Sequence, residues 1–328
     1  MRRVLAFYQF VPLESPEIER GRLQALGDDL GLRGTILVAE EGVNGTVVGD
    51  TQALSELSQY LTDQYRVKSQ KWSDLESGNS GFHRFKVRVK PEIVSFGVDD
   101  LDMGETGEHV DAQAWNALIA DPEVIVIDTR NDYEIDIGTF DRAVSPHTES
   151  FRQFPDWVSE NLDPEKHTKV AMFCTGGIRC EKASSFLLNR GFENVYQLDG
   201  GILQYLEDTP AEDSRWQGEC FVFDQRVSVD ANLQQGQYKQ CYACRHPLSE
   251  AELASPDFEH GVSCPHCIAE TSAQRREQFR ERQHQVRLAA ERGEQHIGLD
   301  QKKAREQAKV EAEKNFPTLQ QVYINVSR

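Results

Sequence analysis

Long apolar runs are missing from this 328-residue sequence. A membrane-spanning helix needs about 20 consecutive apolar residues, which no segment supplies. The first residues, MRRVLAFYQFVPLESPEIERG, also lack the apolar core and small-residue cleavage site of a secretion signal. We therefore expect a soluble cytoplasmic protein with no membrane partner.

Positive charge is scarce as well. The chain has 36 Lys and Arg against 54 Asp and Glu, which gives a net charge of -18 at pH 7. Because like charges repel, the whole chain is not attracted to polyphosphates in a general way. We expect no DNA partner, and contact with RNA requires a local basic patch.

Nucleotide-binding glycine motifs are absent too. The segments GDDLG and GETGEH do not lie between a strand and a helix in the GxGxxG pattern. No nucleotide cofactor is therefore predicted.

The first 95 residues alternate between strand and helix patterns. VLAFYQF and RGTILVAEEGVNGTVVGD are strand-like, SPEIERGRLQALGDDLG and TQALSELSQYLTDQY have helical apolar spacing, and HRFKVRVKPEIVSF is a closing basic strand. This order predicts a βαββαβ, ferredoxin-like domain, a fold that alone says little about function. The piece AEEGVNG is either a plain hairpin turn or a ligand-facing loop.

Basic residues alternate along the closing strand, at Arg84, Lys86, Arg88 and Lys90. A period of two places these side chains on one strand face, next to phenylalanines. Both a solvated face and a phosphate-contacting RNA surface fit this pattern. In the second case, Arg84, Lys86 and Arg88 are the expected RNA contacts.

Residues 110 to 207 have the pattern of a second domain. The apolar strands VIVIDTR, KVAMFC and NVYQLDGGI alternate with the helical segments DAQAWNALIADP and EKASSFLLNRGF. Strands this apolar are buried on both faces, which predicts a parallel sheet covered by helices. Ligands of such sheets lie at the carboxyl ends of the strands, and Cys174 falls at one of these ends.

The segment CTGGIRC, which follows that strand, is able to curl around an anion. Gly176 and Gly177 tolerate unusual backbone dihedrals, and the helix expected from about Cys180 points its positive end at the same space. These features and Arg179 lower the pKa of a cysteine. A lone cysteine at a strand end is usually a core residue, but the glycines and the arginine favour a reactive thiolate. The loop from Thr175 to Ile178 is one residue shorter than a cysteine phosphatase loop and suits sulfur better than phosphate.

The same segments resemble a rhodanese domain. The resemblance rests on VIDTR, NDYEIDIGTF and VAMFCTGGIRCEKASSFLLNRGFENVYQLDGGI, and it implies that Cys174 is the persulfide-forming cysteine. Two departures are present. Gly138, Thr139 and Phe140 replace the usual Gly-His-Ile, and a second cysteine, Cys180, follows the loop at once. Simple sulfur transfer does not obviously require that second cysteine.

Over roughly residues 1 to 270, the wider pattern resembles the bacterial tRNA uridine hydroxylases. AEEGVNG, CTGGIRCEKA and a cysteine-bearing C-terminal segment carry this resemblance. It implies hydroxylation of the wobble uridine, position 34, to 5-hydroxyuridine, with molecular oxygen as co-substrate and the tRNA anticodon stem-loop as partner. Two alternatives stay open: a sulfurtransferase that carries sulfane sulfur, and a non-catalytic RNA-binding or zinc-stabilised scaffold.

The hydroxylase hypothesis gives roles to the loop residues. Cys174 is the nucleophile that adds to the electrophilic C6 of uracil. The loop amides and Arg179 stabilise the resulting enolate oxygen. Cys180 either resolves an oxidised Cys174 or packs locally, and Glu181 and Lys182 are interpreted as solvated helix residues. The N-terminal domain is the candidate to hold the stem-loop.

Four of the seven cysteines form two CxxC pairs separated by nineteen residues, namely Cys241, Cys244, Cys264 and Cys267. This spacing predicts a structural zinc site in a reducing compartment. Two redox pairs or an iron–sulfur cluster are alternatives. We interpret His246 and His266 as surface residues, and Cys220 as a buried strand residue.

The remaining sequence, to about residue 316, is rich in Gln, Glu, Arg and Lys. It predicts an exposed helical tail, with RNA contact as the alternative. The predicted fold class is thus α/β and α+β in several domains. These are a ferredoxin-like domain at 1–95, a rhodanese domain at 110–207, a four-cysteine segment with a zinc-type site at 215–270, and a charged helical tail at 272–316. The sequence does not set the oligomeric state.

Overall fold

The structure is a computed structural model that describes residues 2–75, 81–99 and 101–292. The chain divides into two compact units, Met1–Thr271 and Ser272–Arg328. Within the described ranges, no helix has the length and apolar character needed to cross a membrane.

A five-stranded sheet with two helices forms the first part of the larger unit. Its elements are β1 (Arg2–Phe10), α1 (Pro16–Asp29), β2 (Arg33–Ala39), β3 (Gly42–Asp50), α2 (Thr51–Tyr65), β4 (Ser69–Asp74) and β5 (Phe85–Val89). The strand order is β4-β1-β3-β2-β5. Strand β5 is parallel to β2, and the other pairs are antiparallel. The predicted βαββαβ, ferredoxin-like order is confirmed.

The strand that closes this order is not the basic strand that the sequence indicated. The closing strand is β4, SQKWSD, in which no side chain is fully buried. A strand is visible in a sequence mainly through apolar alternation, which β4 lacks. The basic strand is the added fifth strand, β5, held at the edge by α1, where Gly27 lies directly against the Phe85 ring.

Only one face of this sheet is covered by its own helices. Leu5 and Ile36 of the sheet pack there against Leu23 of α1 and Leu54 of α2. Since side chains alternate along a strand, Ala6 and neighbouring residues point to the other face. That face is directed at the second sheet of the unit, which follows the first sheet in the chain.

The second sheet is parallel. Its region contains β6 (Glu108–Val110), α3 (Ala112–Leu118), β7 (Val124–Asp128), α4 (Asp132–Ile135), β8 (Gly138–Phe140), a 3-10 helix (Phe151–Gln153), α5 (Phe154–Asn161), β9 (Lys169–Phe173), α6 (Ile178–Leu188), β10 (Asn194–Leu198) and α7 (Gly201–Asp208). The order β6-β10-β9-β7 has parallel pairs throughout. The predicted parallel sheet with covering helices is confirmed.

Thr139 and Phe140, which replace the usual His and Ile of the rhodanese pattern in β8, have structural roles. Thr139 Oγ1 donates to Asp128 Oδ2 at 2.9 Å. Asp128 also holds Arg130 in a fully buried ion pair, with Nη2 to Oδ2 at 2.6 Å. Phe140 packs edge-on against Trp115, with ring centroids 5.5 Å apart. Thr139 and Phe140 therefore stabilise the sheet core.

Short elements complete the larger unit: β11 (Trp216–Gly218), β12 (Cys220–Phe221), β13 (Ser228–Val229), β14 (Lys239–Gln240), β15 (Pro247–Leu248) and α8 (Glu250–Leu253). Strand β11 pairs with β8. Cys220 is fully buried in β12, which confirms the interpretation of this cysteine.

The smaller unit begins with the helix α9 (Ala273–Glu291), whose described side chains are mostly exposed. The predicted helical tail is thus confirmed at its start. Residues 293–316 of the predicted tail lie outside the described residues.

Candidate active site

Cys174 follows β9 at the carboxyl end of the parallel sheet, where the sequence placed it. Its side chain is 1% exposed, and its Sγ accepts a hydrogen bond from Gly177 N at 3.1 Å. Gly177 has a φ of 97°, a value that favours glycine. Helix α6 begins at Ile178, about two residues earlier than expected, so its positive end lies close to the thiol.

Arg179 forms a buried fork with Glu134. Its Nη1 and Nη2 donate to Oε1 and Oε2 of Glu134 at 2.7 and 2.8 Å. The sequence predicted that Arg179 serves the substrate, whereas the structure commits the guanidinium to a carboxylate. No role for Glu134 was predicted from the sequence. The NDYEI motif that contains it indicated a rhodanese domain, but not a pairing with Arg179.

The electrostatics of the loop favour a thiolate on one cysteine. Burial disfavours the charged form, but a hydrogen bond from Cys180, the positive charge of Arg179 and backbone N–H groups outweigh it and lower the pKa of Cys174. Burial and the neighbouring Cys174 raise the pKa of Cys180 well above its usual value. The first proton of the pair therefore leaves Cys174, and Cys180 stays protonated beside it.

A cavity of about 590 Å³ opens at Cys174. Its other walls come from the second face of the N-terminal sheet, including Tyr8 and Asn44, and from the turn that carries Phe223 and Arg226. This volume lies within the roughly 300–1,000 Å³ typical of small-molecule sites. The sequence indicated an RNA-holding role for the N-terminal domain, but not that its sheet forms a wall of the thiol's own cavity.

Glycine at position 176 is not required by packing. A Cβ at Gly176 would meet no atom within 4 Å, and the residue lines the cavity. Gly177 differs, since a Cβ there would lie 2.8 Å from Tyr8 Oη. The open space at Gly176 leaves room for a ligand to approach the loop backbone.

Glu181, in the helix that follows the Cys174 loop, contacts the N-terminal sheet. Tyr8 Oη donates to Glu181 Oε1 at 3.0 Å, and His109 Nε2 lies 3.1 Å from the same oxygen. Gln197 Nε2 donates to Oε2 at 3.4 Å. Burial, followed by the charges of Glu181 and Cys174, raises the pKa of Tyr8. The interpretation of Glu181 as a solvated residue is wrong.

Lys182 is likewise buried, at 4% exposure. Its Nζ lies 2.8 Å from Glu41 and 2.7 Å from Glu92, and donates to Val94 O at 3.1 Å. The prediction of a solvated lysine is wrong because its partners come from distant segments. Glu41 belongs to AEEGVNG, which is therefore a hairpin and also an interdomain contact.

The basic strand lies outside the described lining of the cavity. Arg84 and Arg88 are exposed, and Lys86 is half-buried. RNA contact by these three residues stays a prediction.

The four cysteines of the CxxC pairs come together. Their sulfurs lie within 4.8 Å of one another. Cys264 Sγ is 3.7 Å from both Cys244 Sγ and Cys267 Sγ. A tetrahedral site with Zn–S bonds of about 2.3 Å has S–S edges of about 3.8 Å, so the cluster fits zinc. Nearby, the rings of His246 and His266 stack with centroids 3.6 Å apart, and His246 is half-buried rather than on the surface.

Two family models match the chain. Residues 2–93 match the UPF0176 acylphosphatase like domain, and residues 111–208 match the Rhodanese-like domain. The chain therefore carries a rhodanese-like domain over residues 111–208. The N-terminal match is consistent with the UPF0176 family.

Several solved structures resemble parts of the chain. The rhodanese-like domain of an Anabaena protein is 19% identical, covers 34% of this chain and 80% of its own, and has a TM-score of 0.29. A rhodanese-like domain protein of Staphylococcus aureus is 20% identical, covers 30% of this chain and 90% of its own, and has a TM-score of 0.26. A Rhodopseudomonas palustris protein of unknown function, described as a possible tyrosine phosphatase, is 20% identical. It covers 37% of this chain and 98% of its own, with a TM-score of 0.29.

Proposed function

We propose that this protein hydroxylates the wobble uridine of tRNA to 5-hydroxyuridine with molecular oxygen. The observation that carries the proposal is the cavity in front of Cys174, walled by both the rhodanese loop and the N-terminal sheet. Transfer of a single sulfur atom does not need this much space. A base of the anticodon loop is already unpaired, so it can be splayed into a pocket at low cost.

The lowered pKa of Cys174 suits nucleophilic attack on uracil. Addition of the thiolate to C6 forms a C–S bond and shifts the electron pair of the C5–C6 double bond towards O4, which makes C5 nucleophilic. Oxygen then binds at C5. Loss of the C5 proton and cleavage of the C–S bond restore the ring and the thiolate. The second oxygen atom leaves as water after two electrons and two protons arrive from an external reductant.

The surrounding residues support this chemistry in distinct ways. The protonated thiol of Cys180 and the positive charge of Arg179 both favour the Cys174 thiolate, and Glu134 holds the Arg179 guanidinium in place. Gly176 lines the cavity, and its backbone N–H is our candidate to stabilise negative charge on the ring oxygen.

The test is mass spectrometry of tRNA nucleosides from cells that lack this protein. We expect 5-hydroxyuridine and its derivatives to disappear, to return with the wild-type chain, and to stay absent with Cys174→Ala. Cys220→Ala is the matched control because it removes an equally buried thiol outside the loop. Hydroxylation that returns with Cys174→Ala contradicts the proposal.

Sulfur transfer is the second candidate because the family match is to a rhodanese-like domain. In that case, the Cys174 thiolate takes the sulfane sulfur of thiosulfate while sulfite leaves, and cyanide then removes that sulfur as thiocyanate and restores the thiolate. Persulfidation of purified protein at Cys174, together with unchanged tRNA nucleosides in the deletion strain, favours this function.

We assign a structural zinc ion to Cys241, Cys244, Cys264 and Cys267, in view of the fit described above. Zinc thiolates and a reactive cysteine pair both require a reducing compartment, so we place the protein in the cytoplasm.

A further inference from the structure

Two arginines lie side by side at the edge of the N-terminal sheet. Strands β2 and β5 run parallel, with Gly34 paired to Phe85, so the residues before them, Arg33 and Arg84, are neighbours. Gly34 N donates to Arg84 O at 2.9 Å, which fixes this arrangement. The pair is notable in a chain with a net charge of -18.

A third arginine, Arg245 of the four-cysteine segment, lies within electrostatic range of the same edge. Burial and then the charges of Arg33, Arg245 and Arg84 lower the pKa of His83. Three separate segments thus place positive charge around His83. We call Arg33, Arg84 and Arg245 the basic cluster.

Next to the basic cluster lies the exposed aromatic residue Phe223. It is 56% exposed and lines the cavity together with Cys174. Its ring packs edge-on against Phe221, with centroids 5.2 Å apart. An exposed phenylalanine at the mouth of a cavity presents a flat apolar face to any ligand that enters.

The segment that carries Phe223 is firmly attached beside the basic cluster. Gln225 N donates to Gly81 O at 3.2 Å, and Gln225 Nε2 lies 3.2 Å from His83 Nε2. In the same turn, Arg226 Nη2 donates to Asp224 Oδ2 at 2.6 Å within a buried fork. These contacts therefore fix the position of the Phe223 ring relative to the basic cluster.

We propose that Phe223 and the basic cluster bind the single-stranded RNA that flanks the reacting base. The ring stacks on a neighbouring base, and the guanidinium groups contact its phosphates. Aromatic stacking beside cationic groups is how proteins hold single strands without reading their sequence. The inference rests on the proposed function, because the cavity must admit a base of the same strand.

The experiment measures binding, not hydroxylation, in the full chain carrying Cys174→Ala. The probe is a synthetic RNA stem-loop with a uridine in its loop and 2-aminopurine beside it, whose fluorescence falls when the base stacks on an aromatic ring. Phe223→Leu removes the ring and keeps an apolar side chain, while Phe223→Tyr keeps the ring. Ile18→Ala is the control, since Ile18 is also 56% exposed but does not line the cavity.

We expect Phe223→Leu to weaken binding by about 10-fold and to abolish the quenching, with Phe223→Tyr and Ile18→Ala close to wild type. Arg84→Ala and Arg245→Ala should each reduce the slope of log K against log salt by about 1, and the exposed control Arg20→Ala should not. Unchanged binding and quenching in Phe223→Leu overturns the inference and leaves the proposed function standing. A Cys174→Ala chain without further substitution that binds no RNA contradicts both, and binding lost only in the arginine variants overturns the stacking role.

Discussion

Tyr8, in the first strand of the chain, donates a hydrogen bond to Glu181, which lies seven residues after the candidate nucleophile. The next residue, Lys182, lies within ion-pair distance of Glu41 and Glu92. The helix that follows the rhodanese loop is therefore held by the N-terminal sheet at two consecutive positions. This contact places the sheet where it forms a wall of the Cys174 cavity.

The ion pairs of Lys182 predict a loss of stability on substitution. Lys182→Met removes the only buried cation that the described residues place next to Glu41 and Glu92, and Glu92 keeps just the exposed Arg152 at 3.4 Å, so the free energy of unfolding should fall by about 3 kcal/mol. Urea unfolding measures this change. The control is Lys166→Met, which breaks the exposed pair with Asp163 and should have no measurable effect. Equal stability of both variants contradicts the interdomain role.

The fork between Arg179 and Glu134 predicts strong coupling. Glu134→Gln orphans a buried guanidinium and should lower the free energy of unfolding by about 3 to 5 kcal/mol. Adding Arg179→Met should recover part of that loss, because no unpaired charge then remains. A double-mutant cycle from thermal or urea unfolding checks this result. If the effects of the two single substitutions on the free energy of unfolding simply add in the double variant, Arg179 and Glu134 have no coupling energy, which contradicts this prediction.

The cysteine pair predicts a specific pH dependence. Since the pKa of Cys174 is lowered, its thiolate persists as the pH falls below the free-cysteine pKa of about 8.5, and is lost only at the depressed pKa. Cys180→Ala removes the neighbouring thiol that lowers the pKa of Cys174, and should move the titration to higher pH. Cys180→Ser keeps a donor and should move it less. The ultraviolet absorbance difference from Cys174→Ala measures the thiolate, and a titration unaffected by Cys180→Ala contradicts the assignment.

The two loop glycines should respond differently to alanine. Gly176→Ala meets open space and should leave the free energy of unfolding unchanged within about 0.5 kcal/mol, while the new methyl group narrows the cavity and reduces hydroxylation. Gly177→Ala combines a φ of 97° with a close approach to Tyr8 Oη, so it should destabilise the fold. Unfolding curves beside tRNA analysis separate the two effects. Full activity of Gly176→Ala would count against the cavity as the substrate site.

The cluster of four cysteines predicts one zinc ion per chain. Cys264→Ser should lose the metal and unfold the four-cysteine segment, because zinc binding supplies folding free energy to such small sites. Cys220→Ala, equally buried but outside the cluster, should retain it. Elemental analysis of the purified variants is the measurement. Iron in place of zinc would support the iron–sulfur alternative.

Local patterns in the sequence were sufficient for much of the fold. Apolar runs indicated the parallel strands β7, β9 and β10, and the CxxC spacing indicated the sulfur cluster. Strand β4 was missed because it has no apolar alternation. The partners of Glu181 and Lys182 were missed for a different reason. Tyr8 and Glu181 are 173 residues apart, and no local pattern encodes a contact at that separation.

The loop that contains Cys174 also combines features that the local sequence predicted with contacts that it did not. Its glycines and cysteines were visible as a motif, and the position of Cys174 followed from the strand before it. The fork of Arg179 with Glu134 was not visible, because two ionisable residues 45 positions apart give no sign of pairing until the fold is known. The cavity also depends on the docking of two sheets.

The most direct test of the central claim is oxygen labelling in living cells. The deletion strain, complemented with the wild-type chain or with Cys174→Ala, is grown under isotopically heavy dioxygen, and tRNA nucleosides are analysed by mass spectrometry. The account predicts heavy oxygen in 5-hydroxyuridine with the wild-type chain and no 5-hydroxyuridine with Cys174→Ala. Equal, labelled 5-hydroxyuridine in both strains would contradict the role of Cys174, and unlabelled product would contradict the use of molecular oxygen.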